Sequence, residues 1–185
     1  MHRKLGFTLT EVLLTLVIIG IIAALTIPSA MRGVNAQDYR VGLKKGISTL
    51  NQALMSEYSI TGSQIADSEY VTAKDVVDNI FAKRLNIIKR VDSGTTFGWP
   101  DGPVFYTADG MKFEIYGAKG TCDIKGEQRC FWMIIDVNGD RAPNLYTSDS
   151  TAPHDIFDAE VYSNRILPYN AASGVMFESN TNTAL

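Results

Sequence analysis

An almost unbroken apolar run from Phe7 to Ile27 constrains this chain more than any other feature. At ~1.5 Å rise per residue the run reaches roughly 31 Å as a helix, which matches one bilayer core. Arg3 and Lys4 stand directly before it, and cations beside a span stay on the cytoplasmic side. The sequence therefore predicts one membrane-crossing helix, with everything after about residue 30 outside the cytoplasm. A conventional cleaved signal has a shorter apolar core, of ~7 to 15 residues, and closes on a small-residue cleavage site. This run is longer, and its departures from apolar character lie at the opposite end.

The remainder of the chain has the means to fold. The protein has 185 residues, 45% hydrophobic and 20% charged, values that suit one modest globular domain rather than a disordered tail. Its formal net charge is −3, so it lacks the basic face that broad nucleic-acid binding requires. No nucleic-acid partner is expected.

Glu11 sits four residues into the apolar run. A carboxylate within a spanning helix costs at least ~2.5 kcal/mol near the bilayer centre and less near an interface. Two readings compete for it. In one, Glu11 snorkels to the headgroups and has no partner. In the other, it awaits a cation brought by assembly, such as the free amino terminus of a neighbouring subunit, which exists only if the chain is cut near Phe7.

The stretch KLGFTLTEVLLTLVIIGIIAALTIP resembles the class III signal of type IV pilins and type II secretion pseudopilins. That pattern is a short basic leader ending in Gly, an aromatic or apolar first mature residue, Glu at the fifth mature position and a long apolar helix, often kinked at a proline. Met1 to Gly6 matches the leader, Phe7 the first mature residue, Glu11 the glutamate and Pro28 the proline. The resemblance implies cleavage between Gly6 and Phe7 by a membrane-embedded prepilin peptidase and N-methylation of Phe7. It also implies partners: other pilin or pseudopilin subunits, an assembly platform and inner-membrane lipid. Loss of Arg3 and Lys4 with the leader would make the mature chain more acidic. Glu11 would then pair with the Phe7 amine of a neighbour in a low-dielectric helix bundle.

Beyond Pro28 the pattern turns amphipathic. Tyr39, Leu43, Ile47, Leu50, Leu54 and Tyr58 recur at helical spacing, which predicts one buried stripe beneath a globular head. Arg40, Lys44, Lys45 and Glu57 fall off that stripe, and Gly33, Gly42 and Gly46 read as weak points in the helix. A helix from Phe7 to about Tyr58 would be ~78 Å long, so half of it is expected to project. TGSQIADSE reads as a polar connection. The segment AKDVVDNIFAKRLNIIKRV comes next, with Val76, Val77, Ile80, Phe81, Leu85 and Ile88 on a helical face and Thr72 as N-cap. In this reading the charges of KRLNIIKR form the solvated face of that helix.

Then come strand signals. PVFYTADGMKFEIYG reads as a hairpin turning at Asp109 and Gly110, CFWMIIDV as a strand buried on both faces, and DIFDAEVYS and GVMFE as weaker strands. Together these elements predict an α+β chain. Residues 1–6 form the leader and 7–30 the transmembrane and assembly helix. Residues 31–185 form a head that includes the second half of the long helix and an antiparallel sheet.

Two features of the head carry chemistry. Cys122 and Cys130 are the only cysteines; outside the cytoplasm such a pair closes a local disulfide loop, and two thiols are the alternative. Without matching histidines they make a poor zinc site. The stretch IIDVNGDRAPN places Asp136, Asn138, Asp140 and Asn144 on a turn with Gly139, a pattern that suits a hard cation such as structural calcium. It is not an EF-hand, because Arg141 and Thr147 stand where that loop needs Gly and Glu. A bare Asx-rich turn is the competing reading. Asp155 would complete the site or tie the loop down. Asp136, Asn138, Gly139, Pro143, Asn144, Asp155, Phe157 and Pro168 also resemble a head motif of bacterial pilin-like proteins, independently of the leader.

Catalysis finds little support. His2 leaves with the leader, His154 has no nucleophile motif beside it, and no G-x-S-x-G occurs. The function expected is a structural subunit of a type IV pilus-like or type II secretion pseudopilus filament, held by a single pass in the inner membrane before assembly. A membrane-anchored adhesin or binding protein that never polymerises is the alternative.

Overall fold

The computed structural model describes residues 8–67, 70–94, 102–146 and 154–169, with the backbone alone for 27–36. The opening helix, α1 (Leu9–Thr61), runs for 53 residues and continues through Pro28. Two compact units divide the chain, Met1–Gln37 and Asp38–Leu185.

In the first unit, Leu9–Thr26 is long and apolar enough to cross a membrane, and none of it is buried among the described residues. Leu13, Leu16, Val17, Ile19, Ile22 and Leu25 all lie more than half exposed. So much uncovered apolar surface is stable only in lipid or against other helices. The hydroxyls of Thr15 and Thr26 donate to the carbonyls of Val12 and Ile22, each at 2.9 Å, which removes their need for water.

The second unit is built on a six-stranded antiparallel meander in the order β1-β2-β3-β4-β5-β6. The strands are β1 (Ile87–Gly94), β2 (Gly102–Thr107), β3 (Lys112–Tyr116), β4 (Arg129–Asp136), β5 (Ile156–Tyr162) and β6 (Ile166–Pro168). Alternation puts Phe105, Phe113, Ile115, Met133, Ile135 and Ala159 on one face, in register across four strands. Onto that face pack Leu50, Ala53 and Leu54 of α1, with Leu43 and Ile47 partly buried beside them. Gly42 and Gly46 set the closeness of this contact. A Cβ on Gly42 would lie 3.1 Å from the Val137 Cβ, and one on Gly46 would lie 3.3 Å from the Met111 sulfur. They therefore act as packing positions within an intact helix, not as the weak points expected of them.

The expected stripe on α1 needs two corrections. Tyr58 is exposed, and it lines a pocket of about 200 Å³ with Leu54, Met55, Ile65 and Ile80. Glu57, expected off the stripe, is buried, because Arg84 reaches it from the following helical segment. That segment comprises α2 (Ala73–Val76), a π-helical turn over Val77–Phe81 and α3 (Ala82–Arg84). Thr72 caps it as expected, in a reciprocal box with Asp75. Val76, Val77, Ile80 and Phe81 are buried, and the Phe81, Phe105 and Phe113 rings stack at 5.7 and 5.1 Å.

The helix nevertheless ends at Arg84, not beyond Ile88. Leu85 is extended, and the branched stretch from Ile87 pairs with β2. A register shift between Ile87 and Lys89 leaves Ile88 out of the ladder and exposed. KRLNIIKR is thus divided between a helix end and an edge strand: Arg84 pairs with Glu57, and Arg90 pairs with Asp78 and Asp92. The connection read as polar carries Ile65, which is fully buried. The hairpin turn at Asp109–Gly110, β4 and β5 lie where the sequence put them. The strand expected in GVMFE lies outside the described residues.

Candidate functional site

The N-terminal segment comes first. Gly6 and Phe7 lie outside the described residues, and Glu11 is exposed in the first turn of α1. Its carboxylate accepts from the Thr8 backbone N–H at 2.9 Å and from the Thr8 hydroxyl at 2.8 Å, while the Glu11 N–H donates to Thr8 Oγ1 at 3.3 Å. This reciprocal arrangement is a capping box. Glu11 therefore has a role inside its own chain, closing the open N–H groups of the helix that begins at Leu9. The signal for it, T-x-x-E ahead of an apolar run, is present in the sequence and is overshadowed there by the charge of Glu11.

The second site is the loop between β4 and β5. Asp136 ends β4 fully buried, and its Oδ1 accepts from the Asn138 N–H at 3.3 Å. Burial pushes its carboxyl up to about 7, and the neighbouring Asp155 charge adds to the rise. Asp155 is also fully buried. Its two oxygens accept the Asn144 and Leu145 N–H groups at 2.9 and 2.7 Å, and its carbonyl accepts the Val137 N–H at 3.0 Å. Asp155 thus ties both ends of the loop together. Gly139 turns the chain at φ 70°, where a Cβ would meet the Gly110 carbonyl at 2.6 Å.

The five oxygen-bearing residues named from sequence do not gather in one place. Asp140 is exposed and turned to the sheet, bonded to Lys112 Nζ at 3.1 Å and to the Tyr106 hydroxyl at 3.0 Å. The Lys112 and Tyr106 donors hold its carboxyl below the usual range, and burial together with the same contact pushes Tyr106 up to about 12. The Asn144 amide donates to the Asp140 carbonyl. Asp136, Asn138 and Asp155 remain as neighbours, and among the described residues no group of three or more His, Cys, Asp or Glu side chains is placed to hold a metal. Sequence reasoning missed Tyr39, whose hydroxyl is paired with the Asn138 side chain. No local pattern links residues so far apart in the chain.

Cys122 and Cys130 are joined in a disulfide. It closes the loop that leads into β4, with Ile124 exposed on it and Gly126 bonded through its carbonyl to Arg165.

Residues 1–27 match the family model for the prokaryotic N-terminal methylation motif. This is the signature of a prepilin-type signal, on a chain whose α+β architecture, a long N-terminal helix followed by an antiparallel sheet, is pilin-like. No curated protein matches the chain, and no solved structure matches it.

Proposed function

We propose that this pilin-like precursor is cut between Gly6 and Phe7, N-methylated at Phe7 and assembled as a structural subunit of a type IV pilus-like or type II secretion pseudopilus filament. The observation that carries the reading is the methylation motif over residues 1–27, which includes an apolar helix left uncovered among the described residues. Its partners are a prepilin peptidase, which would take the chain as substrate, and other subunits whose apolar helices would cover Leu9–Thr26. Before assembly the helix crosses the inner membrane once, with the second unit outside the cytoplasm.

In the filament Glu11 pairs with the Phe7 amine of a neighbour. The capping box sharpens how this is tested. Glu11→Ala removes both the cap and the charge, whereas Glu11→Gln keeps an acceptor for Thr8 and removes only the charge. Both variants are expected to insert in the membrane and be processed, with a methylated Phe7 start read by mass spectrometry of the mature chain. Filament yield is expected to collapse in both. Normal yield from Glu11→Gln would rule out the ion pair and leave Glu11 as a cap alone. Absence of the parent chain itself from any filament would favour a membrane-anchored protein that does not polymerise.

A further inference from the structure

The outer face of the sheet, opposite the one that α1 covers, carries a cluster that the filament reading does not use. There Trp132 of β4 lies opposite Glu160 of β5 and one pair along from Asp158, which faces Ile134. The Tyr169 N–H donates to the Asp158 carbonyl at 2.9 Å, which continues the β5–β6 ladder and sets Tyr169 beside Asp158 on the same face. The Trp132 and Tyr169 rings meet at 5.3 Å. From the loop after β4, the Tyr146 hydroxyl donates to Asp158 Oδ2. The rings of Trp132, Tyr146 and Tyr169 thus stand around one carboxylate.

That carboxylate is short of a partner. Asp158 Oδ1 is buried and accepts no hydrogen bond, and among the described residues Asp158 forms no ion pair. Arg129, which lies over the Trp132 ring at 3.4 Å, is paired with Glu160 at 3.1 Å. Burial holds the Asp158 carboxyl above the ordinary range. The rim of the cluster is accessible, because Tyr146 is 45% exposed and Trp132, Asp158 and Tyr169 are partly exposed. A water would supply Oδ1 with a donor but would leave the charge unbalanced and gain nothing from the rings. A cation bearing N–H groups supplies the donor, balances the carboxylate and is drawn to the ring faces.

We propose that Trp132, Tyr146, Tyr169 and Asp158 form a binding site for a primary alkylammonium group, and that its source is a lysine side chain of a partner protein. A quaternary ammonium suits the rings but has no N–H for Oδ1. A guanidinium favours two carboxylate oxygens at once, and Oδ2 is already taken by Tyr146, so a point-like ammonium fits better. A hard metal ion needs several oxygen ligands, which a single carboxylate among rings does not offer. An ethanolamine headgroup brings a phosphate along with its amine, towards a face that also carries Glu160, whereas lysine brings an apolar stem that the rings can cover. The site is independent of the filament reading, since an anchored chain that never polymerised would present it equally.

The test uses the full-length Trp99→Phe protein in nonionic detergent micelles, which leaves Trp132 as its one tryptophan. Its fluorescence is followed during titration with Nα-acetyl-lysine amide at fixed ionic strength. A saturable change is expected, with a dissociation constant of about 1 mM for a ligand of this size. Nα-acetyl-arginine amide, tetramethylammonium and glycerophosphoethanolamine are each expected to bind about fivefold more weakly or worse. Asp158→Asn keeps an acceptor for Tyr146 and is expected to fold and to lose about tenfold in affinity. Tyr169→Leu keeps the apolar bulk and is expected to lose about threefold. Asp140→Asn, away from the cluster, is expected to keep the parent affinity. No saturable change, or parent affinity in Asp158→Asn, would overturn the site. Parent affinity in Tyr169→Leu would overturn the part given to the rings. Binding of tetramethylammonium or the arginine amide as tight as that of the lysine amide would overturn the choice of a primary ammonium. Equal binding of glycerophosphoethanolamine would overturn the protein source. Filament yield plays no part in these readouts, so failure here and failure of the assembly reading are distinguishable.

Discussion

Arg84 places Nε and Nη2 on one oxygen of Glu57, at 2.8 and 2.6 Å, and the Glu57 residue is 2% exposed. A buried pair of this kind adds little over an apolar pair of the same shape, yet losing one partner strands a buried charge. Arg84→Ala is therefore expected to destabilise the second unit by about 3 kcal/mol, read by urea unfolding, and Glu57→Leu combined with Arg84→Met is expected to recover most of that loss. Asp136 gives the opposite case. Its folded pKa, about 7, lies above its unfolded value near 3.8. Below pH 4 the group is protonated in both states and has no effect. Between pH 4 and 7 only the unfolded state releases the proton, so stability falls as pH rises, by at most about 1.4 kcal/mol per pH unit, and it levels off above pH 7. Asp136→Asn should flatten this part of the pH profile and melt higher than the parent at pH 8. A profile unchanged by the substitution would show that Asp136 is solvated in the folded state.

At the scale of elements, the second half of α1 owes its place to packing more than to its own propensity. Leu50 is fully buried in the core that α1 shares with the sheet. Leu50→Ala should cost about 2 to 5 kcal/mol, through lost burial and the cavity left behind, and the loss should appear as a lower denaturant midpoint with an unchanged slope. Serine at both Cys122 and Cys130 should cost about 2.5 kcal/mol for a bridge with a sequence separation of 8, by the chain-entropy relation; matched unfolding curves with and without reductant check this. The N-terminal end of α1 obeys other rules, since its apolar side chains find no cover among the described residues and Thr8 and Glu11 close its first turn.

At the scale of the whole molecule, the two units call for different surroundings. The second has its own core and a six-stranded sheet, so a chain begun at Asp38 is expected to be soluble without detergent and to unfold cooperatively, as followed by circular dichroism during heating. The same chain is expected to be absent from filaments, because the segment carrying the methylation motif is gone. A truncated chain that aggregated or melted without cooperativity would show that the second unit depends on the first.

By itself the sequence determined whatever rests on neighbours along the chain. The apolar span with its basic leader and Glu11, the Thr72 cap, the turn at Asp109–Gly110 and the strands on either side all arise from residues a few positions apart. These are local effects of helix termini, turn chemistry and periodicity, and they need no knowledge of the fold. Only the tertiary structure decided the rest. Glu57 is buried because Arg84 is 27 residues away in sequence and adjacent in space. Ile88 is exposed because β2 pairs around it. Asp140 leaves its loop because Lys112, on a neighbouring strand, holds it. In each case a side chain's fate depends on a partner brought in by sheet pairing or helix docking, and the free energy of such a contact exists only once the chain between the two has been ordered.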